Sequence, residues 1–249
     1  MNFHDHFSAV AAQYAQARPE YPRALFDWIA SAVSPRALAW EAGCGSGQAS
    51  RDLATIFDRV HATDPSAAQI TQAQAPANVV FAVEPGESCS LPDASVDAVC
   101  VAQALHWFDQ PRFFAECDRV LKPGGTLIAW GYQDMTAPAG VDAALDPFRK
   151  DIEAYWPPER RLIDEAYAGF AWPFEHIDTP HLELTAEWTL PRMLGYFSSY
   201  SATKRFIDAN GRDPVAAHAA DIAAAWGDPA TVRTLRWPLF VDARRKAAA

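Results

Sequence analysis

The chain has 249 residues, of which 50% are hydrophobic and 21% are charged, and this composition is typical of folded proteins and not of disordered ones. Its 31 acidic residues outnumber its 21 basic residues, so the net charge is −10. We therefore expect no nucleic-acid or membrane-surface partner, because such partners attract basic proteins. The length suits one large α/β unit with additional elements.

The cysteines and the N-terminal residues narrow the class of protein further. Cys44, Cys89, Cys100 and Cys117 form no CxxC pair and have no His at metal-ligand spacing, so no metal site is predicted. The opening MNFHDHFSAV lacks the basic residues of a signal peptide, and no run of 18 apolar residues predicts a membrane span. These features predict a cytoplasmic protein with reduced thiols.

Residues 36–132 alternate short apolar runs with amphipathic segments, which is typical of βα units around a parallel sheet. Helices are predicted at 22–33, 48–57 and 110–121, each with its apolar residues on one face. Another helix, broken at Arg18-Pro19, is expected before the first of these. Strands are predicted at 37–40, 60–62, 79–83, 96–102 and 126–130.

The pattern changes after residue 132. Helices are predicted at 142–155 and 161–170, a strand at 181–190, a helical region with interruptions at Gly211 and Pro214 at 191–227, and a last strand at 232–241. No linker divides the chain, so we expect one domain in three parts. These parts are N-terminal lid helices (1–35), a ligand-binding core (36–132), and a helical cap with the last strands (133–249).

The strongest local signal is the loop WEAGCGSGQ at residues 40–48, between the first predicted strand and the helix that follows it. Glycines allow the backbone to turn tightly against a ligand, and a helix N-terminus offers unpaired N–H groups. The dinucleotide fingerprint GxGxxG is broken, because Gln48 stands where the third glycine belongs. The acidic Glu41 suits a ligand with an ammonium group. The loop therefore favours a nucleotide that carries an amino acid over NAD.

Asp64 ends the second predicted strand, 19 residues after Gly45. In α/β nucleotide sites, this is the position of the carboxylate that accepts hydrogen bonds from ribose hydroxyls. Alternatively, Asp64 is the N-cap of a helix that starts at Pro65. The glycine loop and the spacing favour the ribose role.

Five segments in order, EAGCGSGQ, HATDPS, ESCSLPDASVDAV, AQALHWFD and RVLKPGGTLIAWGY, resemble the motif set of class I S-adenosylmethionine-dependent methyltransferases with the type 11 methyltransferase domain. The resemblance covers residues 36–132. It implies an α/β, Rossmann-like fold with a mostly parallel seven-stranded sheet, flanking helices and a helical cap inserted before the last strands. It also implies S-adenosyl-L-methionine as cofactor and S-adenosyl-L-homocysteine as product. YAQARPEYP, YFSSYSA and WPLFVDARRK are similar to the branch of trans-aconitate methyltransferases and related small-molecule O-methyltransferases.

The resemblance implies roles for residues around the cofactor. The glycine loop would face the methionine part, Glu41 would face its ammonium group directly or through water, and Asp64 would face the ribose hydroxyls. Glu87 and Ser88 would lie beside the adenine, where the family usually has Asp-Ala. The complete predicted set is Tyr14, Arg18, Glu41, Gly43, Cys44, Gly45, Gln48, Asp64, Pro65, Ser66, Glu87, Ser88 and Ala102.

The N-terminal segment would, by the same resemblance, fold over the cofactor as a lid. Tyr14 would lie near the sulfonium as a candidate catalytic residue, since aromatic faces attract cations. Arg18 would lie near the methionine carboxylate. Without the resemblance, Tyr14 is an ordinary half-buried aromatic residue.

His106 follows the fourth predicted strand and is the candidate catalytic residue on the acceptor side. Imidazole titrates near neutrality, so His106 could be a general base for an alcohol or amine nucleophile. Alternatively, it packs beside Trp107 and caps a turn. A carboxylate acceptor is already ionised and needs no base, which would leave His106 as a hydrogen-bond donor. The predicted acceptor residues are His106, Trp107, Tyr132, Tyr200 and Arg205.

Together these features predict methyl transfer to a small-molecule acceptor, with O-methylation of a carboxylate or hydroxyl preferred. Arg205 is a candidate for a bidentate contact with a substrate carboxylate, or else lies on a solvated helix face. N- or C-methylation of a small hydrophobic molecule and cofactor binding without catalysis remain alternatives. A nucleic-acid enzyme is disfavoured, because residues 102–106 lack the Asn/Asp-Pro-Pro-aromatic motif that would grip a flipped base. The sequence does not choose between a monomer and a homodimer.

Overall fold

A computed structural model describes residues 19–248 of the chain, and a β-sheet runs through their centre. The predicted lid residues Tyr14 and Arg18, and the helix expected around them, lie outside this range. The strands are β1 (Leu38–Ala42), β2 (Arg59–Asp64), β3 (Val79–Val83), β4 (Val96–Ala102), β5 (Leu121–Tyr132), β6 (Glu175–Ile177), β7 (Leu182–Trp188) and β8 (Arg233–Arg245).

The sheet has the strand order β3-β2-β1-β4-β5-β8-β6, and β7 also pairs with β8. Strands β1 to β5 are mutually parallel, whereas β8 runs antiparallel to β5. β6 pairs with residues 243–245 of β8 and β7 pairs with residues 233–239, so these two short strands share one position at the edge. Eight strands thus fill seven positions, which confirms the predicted mostly parallel, seven-stranded sheet. β6 was not predicted, because three residues are too few to show an alternating pattern.

Helices flank the sheet and form the cap. The cap is inserted in two places, between β5 and β6 and between β7 and β8, as expected for a cap before the last strands. No helix within residues 19–248 is long and apolar enough to cross a membrane. The helices are α1 (Arg23–Ala32), α2 (Gln48–Leu53), α3 (Ala67–Gln72), α4 (Gln110–Val120), α5 (Ala139–Glu153), α6 (Arg160–Asp164), α7 (Leu190–Ser198), α8 (Ser201–Asn210) and α9 (Pro214–Trp226).

Two apolar layers enclose the sheet, because successive side chains of a strand point to opposite faces. In β1, Ala39 belongs to the layer that contains α1 and α2, whereas Trp40 belongs to the layer that contains α4. The first six residues of β4 are all buried, as expected for a central strand covered on both sides. The carboxyl ends of β1, β2, β4 and β5 therefore meet at one edge of a rigid sheet.

Several helices end earlier than their patterns predict. The helix predicted at 48–57 ends at Leu53, and the one predicted at 161–170 ends at Asp164. The second ends early because Ala166 and Tyr167 have left-handed backbone angles, with φ of 49° and 58°. The helical region at 191–227 has an additional break, where Tyr200 is extended between α7 and α8.

Candidate active site

The glycine loop leaves β1 at Ala42 and enters α2 at Gln48. Gly43, Gly45 and Gly47 all have left-handed backbone angles, with φ of 72°, 55° and 85°. Backbone N–H groups of Gly43 and Cys44 donate to the Thr63 carbonyl at 2.8 and 2.9 Å, which fastens the loop to β2. The sequence WEAGCGSGQ folds this way because glycine adopts such angles without a steric cost.

Alanine at Gly43 is expected to destabilise the protein more than alanine at Gly45. Both positions have a positive φ, so both variants carry the backbone cost of about 1–2 kcal/mol. A Cβ at Gly43 would also lie 2.6 Å from the Ala104 Cβ, whereas a Cβ at Gly45 meets no described atom within 4 Å. Such overpacking costs a further 1–3 kcal/mol or so. Urea unfolding of the two variants measures the difference, and equal stabilities would contradict the packing of the loop against Ala104.

Asp64 joins the glycine loop to the loop after β2. Its Oδ2 accepts a hydrogen bond from the Gly45 N–H at 2.9 Å, and its Oδ1 accepts one from the Ser66 N–H at 2.8 Å. The alternative N-cap role of Asp64 is wrong, because the Ser66 hydroxyl caps α3 by accepting from the Gln69 N–H. The helix accordingly begins at Ala67 and not at Pro65. Asp64 is half-buried, at the carboxyl end of a strand beside the glycine loop.

Glu41 has a buried carboxyl group under the glycine loop. The Ser50 hydroxyl donates to its Oε2, whereas its Oε1 has no hydrogen-bond partner among residues 19–248. Burial raises the pKa of Glu41 to about 8, and repulsion from Asp64 and Asp52 acts in the same direction. A buried acceptor without a partner is costly, and the ammonium group of a ligand would satisfy it. This atom therefore fits the amino-acid part of S-adenosylmethionine.

The side chains of Gln48 and Cys44, two of the predicted cofactor residues, are engaged within the protein itself. The Gln48 side-chain amide donates to the Pro19 carbonyl at 2.7 Å, so the residue that breaks the dinucleotide fingerprint holds the N-terminal segment to the glycine loop. Cys44 is buried, and burial raises the pKa of its thiol, so the side chain stays neutral. Neither side chain bears charge toward the site.

The loop after β3 carries the predicted adenine residues. The Phe108 ring would contact a Cβ placed at either Gly43 or Gly86, so this loop and the glycine loop lie against the same ring. Glu87 Oε1 accepts from the Asp109 N–H at 2.8 Å, which ties the loop to the start of α4. Ser88 is exposed. Their contact with adenine remains a prediction.

A glutamine side chain joins the ends of β4 and β5. Gln103 follows Ala102, the half-buried last residue of β4, and its side-chain amide spans the Tyr132 backbone. Its Oε1 accepts from the Tyr132 N–H at 2.8 Å and its Nε2 donates to the Tyr132 carbonyl at 3.2 Å. A Cβ at Gly131 would lie 2.7 Å from this Oε1. A glycine inside a strand indicates such a close approach and was the available signal.

His106 lies in the 3-10 turn Leu105–Trp107 and is only 7% exposed. Its Nδ1 is 3.1 Å from the Tyr167 hydroxyl oxygen, and its ring centroid is 4.6 Å from that of Trp107. The ring therefore packs beside Trp107, as one alternative expected, and it also has a specific polar partner. Tyr167 comes from the cap, 61 residues later in the chain, and no local pattern pointed to it.

The remaining predicted acceptor residues lie in different surroundings. Tyr132 is buried at the end of β5, with its ring centroid 6.3 Å from that of Tyr21. Tyr200 lines a cavity of about 470 Å³ in the cap, and the described lining of that cavity includes neither His106 nor Tyr132. Arg205 donates to the Tyr155 carbonyl at 3.5 Å. The structure therefore brings His106, Trp107 and Tyr132 to the sheet edge and places Tyr200 and Arg205 in the cap.

No cluster of three or more His, Cys, Asp or Glu side chains suited to a metal ion occurs in residues 19–248. The polar groups around the glycine loop are instead the carboxyl groups of Glu41 and Asp64 with the loop N–H groups, and His106 lies in the turn after β4. This set can hold a cationic, ribose-bearing ligand and a second, neighbouring molecule.

Comparisons with known proteins agree with this geometry. Residues 40–129 match the methyltransferase domain family. A protein of Dictyostelium discoideum named as a methyltransferase is 36% identical over 216 residues, which cover 85% of this chain and 82% of that protein. A protein of Saccharomyces cerevisiae named as an S-adenosylmethionine-dependent methyltransferase is 32% identical over 131 residues, 49% of this chain and 45% of that protein.

A solved structure extends the similarity over the whole fold. The structure of a protein from Anaeromyxobacter dehalogenans, described as a type II methyltransferase, has a TM-score of 0.88 and is 41% identical. The match covers 93% of this chain and 99% of that one. With the glycine loop and sheet order described above, these similarities show that the chain belongs to the class I S-adenosylmethionine-dependent methyltransferases and is an enzyme that uses S-adenosylmethionine as its cofactor.

Proposed function

We propose that the enzyme methylates an oxygen atom, carboxylate or hydroxyl, of a small molecule, as in the trans-aconitate methyltransferase-like branch. The observation that supports this proposal is the buried side chain of His106. His106 lies in the turn after β4, packs beside Trp107 and is within hydrogen-bond distance of the Tyr167 hydroxyl group. A buried imidazole is a polar group suited to hydrogen-bonding a reacting oxygen. The net charge of −10 favours a small molecule over a nucleic acid.

The cofactor would be held by the groups around the glycine loop. Glu41 Oε1 would accept from its ammonium group, Asp64 would accept from its ribose hydroxyls, and the loop N–H groups would face its methionine part. When bound, S-adenosylmethionine supplies a methyl carbon on a sulfonium sulfur, and that sulfur retains the bonding electron pair in S-adenosylhomocysteine. Tyr14 and Arg18 would complete the site from the N-terminal segment.

On the acceptor side, His106, Trp107 and Tyr132 would surround the reacting oxygen. A carboxylate is ionised at neutral pH, so the protein's task would be to align one of its oxygens, which is catalysis by proximity. The Gln103 amide supports that task, because it fixes the end of β4 to the end of β5. Tyr200 and Arg205 would contribute from the cap.

N- or C-methylation of a small hydrophobic molecule is the competing function. The specific observation in its favour is the aromatic surroundings of the site, where Trp107 lies against His106 and Tyr21 lies against Tyr132. Such side chains would hold an apolar acceptor without selecting an oxygen.

An acceptor screen distinguishes the two functions. The full-length protein is incubated with S-adenosylmethionine and small carboxylic acids, phenols or amines, and S-adenosylhomocysteine release is measured against a reaction without acceptor. Each product is then weighed by mass spectrometry and treated with mild base. A methyl ester releases methanol under these conditions, whereas N-methyl, C-methyl and aryl ether products do not. Activity on acids or phenols would support the proposal, and methylation confined to nitrogen or carbon would contradict it.

A further inference from the structure

We propose that Tyr167 is a positioning residue that places the proton of neutral His106 on Nε2, so that His106 meets the acceptor as a hydrogen-bond donor and not as a base. The assignment of the proton does not depend on the proposed function. Its consequence for the acceptor rests on the proposed O-methylation.

The first observation is the contact between the two side chains. The Tyr167 hydroxyl oxygen is 3.1 Å from His106 Nδ1, and the rings are inclined by 29°. Tyr167 has no exposed surface, and its ring is enclosed by Phe170 at 4.9 Å and Phe240 at 5.0 Å between centroids. Because these neighbours are apolar, the hydroxyl group depends on the turn at Leu105–Trp107 for its hydrogen bonds.

The second observation gives that hydrogen bond its direction. Among residues 19–248, the Tyr167 hydroxyl group has one hydrogen-bond partner, His106 Nδ1. A buried O–H group without an acceptor is costly, so the phenol proton needs Nδ1 as its acceptor. Burial raises the pKa of Tyr167 far above its usual value, so the phenol retains its proton. That proton is donated to Nδ1, which must therefore be the unprotonated nitrogen of the neutral imidazole.

The third observation is the backbone that carries Tyr167. Ala166 and Tyr167 both have positive φ angles, which L residues other than Asn and Asp rarely adopt. Such conformations persist where the surrounding structure determines them, and they are concentrated at functional sites. Here two of them in succession turn the chain after α6 so that the Tyr167 hydroxyl reaches the turn after β4.

The consequence concerns the class of acceptor. A neutral imidazole with its proton on Nε2 has no lone pair there to take a proton from an alcohol or an amine. In the Ser-His-Asp triad the polarity is opposite, because the carboxylate holds a proton on Nδ1 and leaves Nε2 as the base. An Nε2–H group instead stabilises an oxygen that already carries negative charge. His106 is thus suited to a carboxylic acid acceptor.

The direct test is the tautomer of His106 in the full-length protein. Long-range ¹H–¹⁵N spectra at pH 8 distinguish the two neutral forms, and the His106→Gln variant assigns the signals among the seven histidines. We expect the Nε2–H form in the wild type and a mixture of both forms in Tyr167→Phe. Tyr155→Phe is the matched control, because its hydroxyl partner is Asn210 and not a histidine. Observation of the Nδ1–H form in the wild type would overturn the proposal, and this measurement does not require any variant to fold.

A kinetic measurement then separates this proposal from the proposed function. With a carboxylic acid acceptor, Tyr167→Phe should lower kcat about tenfold. This is the size of effect seen when a residue that orients a metal-binding histidine is removed. The affinity for S-adenosylmethionine should not change. Tyr155→Phe should change neither. An Nε2–H tautomer in an enzyme that methylates only amines would support the tautomer assignment and overturn the acceptor class. An unchanged kcat in Tyr167→Phe would show that the tautomer does not serve catalysis.

Discussion

Replacement of Asp64 by alanine is expected to weaken S-adenosylmethionine binding more than tenfold while the protein remains folded. A hydrogen bond to a charged group contributes about 1.5–3 kcal/mol, and about 1.4 kcal/mol corresponds to a factor of ten in affinity. The carboxylate also accepts from the Gly45 and Ser66 N–H groups, so its loss loosens the loop that faces the methionine part. Both effects lower the affinity for S-adenosylmethionine.

Calorimetric titration of the wild type and the variant measures this effect, with circular dichroism as the check on folding. Glu84→Ala is the matched control, since Glu84 is also a carboxylate at the carboxyl edge of the sheet but hydrogen-bonds to His61 and Ser90. A folded Asp64→Ala protein with near-wild-type affinity would remove the ribose assignment. A parallel titration with NADH should show no binding, because the loop lacks the third glycine of the dinucleotide fingerprint.

Glu41 is expected to make the ligand-free protein less stable as the pH rises. Its pKa is about 8 in the folded protein, against an ordinary value of 4.5, chiefly because burial disfavours the charged form. The folded state therefore binds this proton more tightly than the unfolded state does. The corresponding stability is fully present below pH 4.5 and is lost as the pH rises through about 8. At about 1.4 kcal/mol per pKa unit, the loss amounts to roughly 5 kcal/mol.

The measurement compares urea unfolding of the wild type and Glu41→Gln from pH 5 to pH 9. Glutamine is neutral throughout, so the free energy of unfolding of the wild type should fall relative to the variant across this range. Glu116→Gln is the control. Hydrogen bonding from Arg119 holds the pKa of Glu116 below its usual value, so this carboxyl is ionised across the whole range and the difference should be constant. If the difference in free energy of unfolding between the wild type and Glu41→Gln were also constant with pH, Glu41 would not be an unsatisfied buried acid.

Much of the fold could be predicted because its signals are local. The five parallel strands appear as apolar runs, and α1, α4 and α5 appear as apolar residues at helical spacing. The missing elements have weak local signals. β6 has three residues and, within residues 19–248, pairs only with the end of β8, so its existence depends on a partner some 70 residues away. The early end of α6 depends on the left-handed backbone at Ala166 and Tyr167. Neither residue is a glycine, so the sequence does not indicate this conformation.

The cofactor side of the site was also readable from the sequence, because its residues lie within a few positions of strand ends. Glycine permits the left-handed angles that Gly43, Gly45 and Gly47 adopt. The choice between Asp64 and Ser66 as the N-cap of α3 could not be read, since both residue types cap helices. The backbone path decided it, by directing the Asp64 carboxylate back to the Gly45 N–H.

By itself, the sequence determined the parallel strands and the glycine loop, because these depend on residue-specific backbone angles and on periodicities within a few residues. The class of cofactor followed from Glu41 in that loop and from the resemblance of five ordered segments to a known family. Only the tertiary structure decided what surrounds the reacting groups. The buried, half-satisfied state of Glu41 depends on Ser50 and on everything that excludes water from it. Tyr167, a hydrogen-bond partner of His106, lies 61 residues away in the cap. A hydrogen bond over that separation is set by how two elements pack, and no pattern along the chain encodes it.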